Sequence, residues 1–218
     1  MPEQNADWTG KWVAQRLEGQ PEVQEVELLA PQVLRIIRKE HQPFLAGTIA
    51  SPRVEPSTFE QLLNSSFRIE FVANVPKESM WSGEAIKVAS RHSVAFGGMG
   101  DLLSAISLPD VNLYVRKEFA FVERGLCQHM KVSGIERVHD RKYVVKRRNL
   151  SDVSVVLLNE YELTADHVRT ARNNYGAFAA ILVTNPNGGM TSSAKQAAES
   201  MGAQIYKWGE FLGRLNKR

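Results

Sequence analysis

Between Lys131 and Leu150 the chain carries seven Lys or Arg residues (Lys131, Arg137, Arg141, Lys142, Lys146, Arg147 and Arg148) against Glu136 and Asp140. That segment is +5 in a chain of formal net charge +3, so everything else sums to −2. A local basic block is the chemistry a phosphate backbone calls for, because cations that meet phosphates release condensed counterions. Arg141, Lys142, Lys146, Arg147 and Arg148 are therefore candidate nucleic-acid contacts. The plainer reading is an edge hairpin whose charges discourage pairing with another sheet. Glu160 and Glu162 follow two residues apart, and alternate strand residues share a face, so the pair could hold a hard cation. Two solvated acids at a strand end, ahead of a helix cap, account for the same pattern.

Other stretches offer weaker chemistry. Ala95 to Ile106, "AFGGMGDLLSAI", puts glycines 97, 98 and 100 before a helix, where bare N–H groups could cradle a phosphate. The spacing fits neither the P-loop nor the dinucleotide fingerprint. Asp101 would repel an anion, so a tight turn with Asp101 as N-cap is the favoured reading. "TNPNGGMT" lies at the carboxyl end of a strand, where α/β sheets bind ligands, which makes Asn185, Asn187 and Thr191 a candidate ligand loop. Turn chemistry alone explains that composition. Trp81 could stack on a base or act as a partly buried anchor. Histidines 41, 92, 129, 139 and 167 show no metal spacing, and only His139 adjoins a candidate acid, Asp140. Cys127 is expected to be buried.

The elements that must position these residues belong to an ordinary globular chain of 218 residues, 43% hydrophobic and 23% charged. No apolar window is long enough to span a membrane, and "MPEQNADWTGKWVAQRLEGQ" lacks a signal pattern. One cysteine excludes an internal disulfide or a Cys-based zinc cluster and favours the cytoplasm. The patterning predicts a helix over Trp8–Leu17 and strands over Val23–Leu29 and Phe44–Ala50. Next come a helix capped by Ser57 or Thr58, a strand within "FRIEFVANVP", a helix in "WSGEAIKVASRHS", and a strand, turn and helix in "VAFGGMGDLLSAIS". "QVLRIIRKE" fits a strand or a helical turn, and Val111–Val122 fits either state. "KYVVKRRNLSDVSVVLL" gives two adjacent strands. Thr164 caps a helix with Val168, Ala171 and Tyr175 on one face, ended by Gly176. The strand Ala179–Thr184, helix Ser192–Met201, strand Gln204–Trp208 and helix Glu210–Leu215 complete an α/β chain with a mixed central sheet flanked by helices. No internal repeat is visible.

The order hairpin, helix, strand, helix, strand, helix over Arg141–Leu215 resembles the second half of the restriction-endonuclease-like fold. The carrying pieces are "LTADHVRTARNNYG", "AAILVTNPNG", "TSSAKQAAESMG" and "AQIYKWGEFLGRL". They are most similar to the Mrr-type branch of the PD-(D/E)XK nucleases. The resemblance covers residues 131–218, and residues 1–130 remain an α/β part of unassigned fold; one continuous domain is the alternative division. It implies an acid at the start of the second hairpin strand, an acid-x-Lys triplet on the third, and one or two Mg²⁺ ions between them. By position Asp140 is the first acid. The triplet falls near Val155–Leu157, which is aliphatic; a shorter connection would use Glu160 and Glu162, with Glu162 where Lys belongs. An acid on an early helix can complete such a metal site, making Glu84 a further metal candidate with Asp140 and Glu160.

The resulting expectation is a nucleic-acid-binding protein with a degenerate nuclease-like domain and no cofactor, in prokaryotic antiviral defence by resemblance. Two alternatives stand beside it. One is an active nuclease using Mg²⁺ with Asp140, Glu160 and Glu162. The other is a non-catalytic subunit that docks a protein partner.

Overall fold

The computed structural model describes residues 3–77 and 79–217. The chain forms two compact units, Met1–Arg116 and Lys117–Arg218, so the division falls at 116/117 and not at 130/131. The first unit runs α1 (Glu3–Leu17), β1 (Val23–Ala30), β2 (Val33–Arg38), β3 (Phe44–Ile49), β4 (Arg53–Val54), α2 (Pro56–Leu63), β5 (Phe71–Asn74), β6 (Met80–Trp81), α3 (Gly83–Arg91), β7 (Ala95–Gly97) and α4 (Met99–Ile106). The second repeats that order with α5 (Lys117–Cys127), β8 (Val132–Arg137), β9 (Lys142–Arg147), β10 (Val153–Leu158), β11 (Glu162–Leu163), α6 (Ala165–Tyr175), β12 (Ala180–Val183), β13 (Gly189–Met190), α7 (Ser192–Ser200), β14 (Gln204–Tyr206) and α8 (Trp208–Arg214). The undecided segment before residue 131 is thus mostly helix, and "QVLRIIRKE" is a strand.

The two units are copies of one topology. Their sheets read β1-β2-β3-β5-β7 and β8-β9-β10-β12-β14. In each, three strands form an antiparallel meander and two more are added in parallel. Each also has a two-residue parallel pair, β4/β6 and β11/β13.

The correspondence runs without a gap. Ala46 faces Phe71 as Val155 faces Ala180, and Phe71 faces Ala95 as Ala180 faces Gln204, each residue 109 positions on. Of the two irregularities in the first hairpin, the one at Val23/Glu25 recurs at Val132/Gly134. Along residues 8–109 and 117–218 only ten such positions carry the same residue. The expectation of no repeat is therefore corrected at the level of backbone, not of sequence.

Shared local physics explains the shared backbone. Ser82 and Thr191 each cap the following helix, accepting from Ala85 N–H at 3.2 Å and Ala194 N–H at 3.1 Å. The buried pairs Ala85/Ala194 and Ala89/Ala198 then lay a small-residue face on each sheet. Ser93 (φ 55) and Gly202 (φ 73) turn the chain out of those helices through the left-handed region. Glu55, not Ser57 or Thr58, is the N-cap of α2; Thr58 reaches back to the Glu55 N–H at 3.0 Å. Asp101 likewise sits in the first turn of α4, accepting the Gly98 N–H at 2.9 Å.

In the first unit one sheet face packs Leu34, Ile36, Phe44 and Phe71 against Val13 and Leu17 of α1 and Leu102 of α4. The other packs Val33 and Val72 against Phe59 of α2 and Trp81 and Ala85 by α3. The second unit covers Tyr143, Val145, Val155 and Leu182 with Val122 and Leu126 of α5 and Phe211 of α8. Its opposite face is closed by Val168, Ala171, Ala194 and Ala198 of α6 and α7. No helix among the described residues is long and apolar enough to cross a membrane.

One side chain fastens each copy. Arg38 ends β2 and donates to the carbonyls of Gln42 (2.8 Å), Ile106 (3.1 Å), Leu108 (2.5 Å) and Pro109 (3.2 Å). Arg147 ends β9 and donates to those of Ser151 (2.6 Å), Leu215 (3.1 Å) and Lys217 (2.7 Å). Both guanidiniums are buried, and burial lowers the pKa of each below the usual arginine value. Each ties the end of the hairpin to the carbonyls that the last helix cannot satisfy itself.

Candidate functional site

Strand alternation decides what the basic hairpin can offer. Arg141, Tyr143, Val145 and Arg147 face α5 and α8, whereas Lys142 lies on the other face with Val144 and Lys146 and reaches Tyr175 of α6. At the carboxyl end of β10 and β12, Arg141 donates through Nη2 to Glu118 Oε1 at 2.6 Å and through Nε to the Leu157 carbonyl at 2.9 Å. Glu118 Oε1 also accepts the Thr184 hydroxyl, and Oε2 accepts Asn159 Nδ2 at 3.4 Å. The Glu118 side chain is only 9% exposed, so this is a carboxylate held on the first turn of α5 and neutralised by an internal guanidinium. Phe119 lies 5.4 Å from the Arg141 guanidinium and 4.0 Å from that of Arg137.

Glu118 was not among the residues singled out from the sequence. The helical spacing of Phe119, Val122 and Leu126 would have placed it, had the segment been read as helix. In the first unit the same positions hold Thr9 and Gln32, and Gln32 Nε2 reaches the Thr48 carbonyl at 3.1 Å as Arg141 reaches that of Leu157.

Asp140 stands on the other face. Its charge is felt by the Tyr175 hydroxyl, and its Oδ1 is shielded from solvent and without a hydrogen-bond partner. Burial pushes its pKa up to about 6, and the charges of Arg141 and Arg137 keep it from rising further. Burial and the Asp140 charge also raise the Tyr175 pKa. Arg137 closes the turn onto the Asp140 carbonyl at 2.9 and 2.6 Å, and the His139 ring lies 6.0 Å from that of Tyr175.

The candidate metal set does not converge. Glu84 belongs to the first unit, where its side chain is 67% exposed and pairs with Lys87 at 2.8 Å. Glu162 is exposed on β11 and Glu160 half-buried in the preceding connection. Among the described residues, no three His, Cys, Asp or Glu side chains gather as a metal would need. The residues present do not fit a divalent cation. Glu118 spends both oxygens on Arg141, Thr184 and Asn159, the nearby β10 positions are Val155 and Leu157, and Asp140 is on the opposite face.

Four of the five candidate phosphate contacts are engaged internally. Arg141 serves Glu118, Lys142 Nζ donates to the Tyr175 carbonyl at 2.7 Å, and Arg147 is the buried clamp. Lys146 is exposed and lies 3.7 Å from Glu136; Arg148 is exposed, with its Nε donating to the Val132 carbonyl at 3.4 Å. The cause is general: arginines near strand ends find orphan carbonyls, which a charge count does not register.

The ligand loop is likewise self-satisfied. Asn185 Oδ1 accepts the Asn187 N–H at 3.0 Å, and Thr191 caps α7 while donating to the Leu163 carbonyl at 3.2 Å. The glycine turn before α4 is filled by Asp101, bound by Tyr114 (2.8 Å) and Arg116 (2.9 Å). Trp81 is a buried core residue 4.5 Å from the Phe96 ring, so it offers no face to a base. Cys127 is exposed, against expectation, because it ends α5.

No protein-family model, curated protein or solved structure matches this chain.

Proposed function

We propose that this chain is a non-catalytic nucleic-acid-binding protein built from two nuclease-like units, with binding carried by the second. The restriction-endonuclease resemblance, first drawn for residues 131–218, extends on this reading to both copies of the topology. A role in defence against foreign nucleic acid is the context that resemblance suggests. Neither third strand, "FLAGTI" or "VSVVLL", carries an acid-x-Lys triplet, and the acid that α5 contributes is already paired with a fixed cation.

The observation that carries the binding half is the division of charge. Residues 1–116 hold 11 Lys or Arg against 14 Asp or Glu, and residues 117–218 hold 16 against 10, so the units are −3 and +6. The fold tolerates either sign, so the excess positive charge of the second unit is not a requirement of the fold. A surplus of that size attracts a polyanion.

The test is binding of a labelled DNA duplex and a labelled single strand across a salt series, with and without Mg²⁺, followed for cleavage. Binding that weakens steeply with salt, needs no divalent ion and leaves the strands intact is the expected result. Metal-dependent cleavage that Asp140→Ala abolishes would establish the active-nuclease reading instead. Absence of binding at low salt would leave the protein-docking reading.

A further inference from the structure

We propose that nucleic-acid phosphates dock at the end of the second unit where β9 meets the tail of α8, on Lys131, Arg148, Arg214 and Lys217. The inference rests on the nucleic-acid reading above and assigns that reading a place. The surface lies at the opposite end of β9 from the Arg141–Glu118 pair, about 20 Å away at ~3.3 Å per strand residue.

The Arg147 clamp builds this end. By holding the carbonyls of Leu215 and Lys217 it brings the last turn of α8 against the end of the hairpin. Arg214 Nη1 donates to the same Lys217 carbonyl at 2.9 Å, and its charge is felt by Arg147. On the other side the Arg148 N–H donates to the Lys131 carbonyl at 2.8 Å, which sets those two residues side by side. Lys131, Arg148 and Lys217 are exposed and Arg214 is half-buried. None of the four forms an ion pair among the described residues. Asp152 is the acid whose charge reaches Arg147.

The first unit supplies the control. Its clamp is the same, yet the four equivalent positions are Glu22, Lys39, Ala105 and Leu108. The backbone therefore asks for one arginine there, not five cations. Clustered like charges oppose folding and are relieved by an anion, and forked guanidiniums suit phosphate oxygens. A bilayer is a poorer fit than a polynucleotide. The exposed apolar residue flanking the four is Met130, and one methionine is less than the apolar face that interfacial insertion uses.

The experiment compares full-length Lys131→Gln/Arg148→Gln/Arg214→Gln/Lys217→Gln with an equal-charge control, Arg169→Gln/Arg172→Gln/Lys195→Gln/Lys207→Gln. Each is titrated with labelled duplex, labelled single strand and phosphatidylserine vesicles across a salt series. The patch variant is expected to bind duplex at least about tenfold more weakly and to lose about 3.6 from the slope of log K against log salt, at ~0.9 per phosphate contact. The control should stay near the wild type. If the patch variant melts early, Lys131→Gln/Lys217→Gln, which removes two exposed cations, should give about half the loss of slope. Equal weakening in both sets, or none in the patch variant, overturns this placement while the binding reading stands. No binding by the wild type removes both. Vesicle binding that exceeds nucleic-acid binding and is lost in the patch variant replaces the polynucleotide with a membrane surface.

Discussion

The two units agree in every strand register and differ in nearly every side chain, and the difference separates architecture from use. Positions with the same role in both, such as Arg38 and Arg147, or the caps Ser82 and Thr191, are what the topology requires. Positions that change character are where each copy departs from the common scaffold. The first unit puts Trp81 where the second has Met190 and closes its glycine turn with a buried Asp101 held by Arg116. The second collects cations. Two residues of one type in the hairpin, Arg141 and Arg147, are both structural, while Lys131 and Arg148 beside them and Lys217 after α8 face water.

The largest expected effect tests the shared part of this comparison. Arg38→Ala and Arg147→Ala should each destabilise by about 3–5 kcal/mol in chemical denaturation, because each strands several buried carbonyls. The two losses should be similar; a cost below about 1 kcal/mol for either would show that the clamp is needed in one copy only.

A smaller effect tests what is particular to the second unit. The folded-state pKa of Asp140 lies above its unfolded value, so the folded chain binds more protons between about pH 4 and pH 6. Stability from this group is present at the acid end of that window and is lost as pH rises through it. Asp140→Asn should therefore be more stable than the wild type at pH 7–8, by about 3 kcal/mol, since a tenfold change in proton affinity is ~1.4 kcal/mol. It should show no advantage near pH 4. Superimposable pH profiles of melting temperature would mean that the carboxylate is not desolvated.

The smallest effect concerns the turn that the two copies fill differently. Ser93 holds φ 55 where its counterpart is Gly202. Ser93→Gly should stabilise by about 0.5–1 kcal/mol and Gly202→Ser should cost about 1 kcal/mol, as the left-handed region penalises a Cβ. Opposite signs would mean that the serine side chain contributes more than its strain costs.

The sequence was most readable where local rules are self-contained. Thr164, Gly176 and the run Ala180–Val183 mark a cap, a stop and a buried strand without help from distant residues. The segment before residue 131 resisted because Phe119, Phe121 and Val122 suit both periods, and the helix is decided by packing Phe119, Val122 and Leu126 onto Tyr143 and Phe211. The repeat resisted because its turns use different residues for the same conformation. The pairing of Arg141 with Glu118 spans 23 positions and leaves no local mark, which is why a basic block read as a phosphate surface proved to be partly interior.

Gly47 carries one more consequence, a kinetic one. Two tandem copies with interchangeable ladders offer each nascent strand two acceptable edges, which is the ordinary route to misassembly in duplicated chains. A Cβ at Gly47 would already touch Leu62 Cδ1 at 3.0 Å, and the matching position of β10 is Val156. Inserted beside β5 in place of β3, β10 would drive an isopropyl group into that contact. The difference in side chains between the two units thus opposes such an exchange, because side-chain volume resists a pairing that backbone hydrogen bonds would accept.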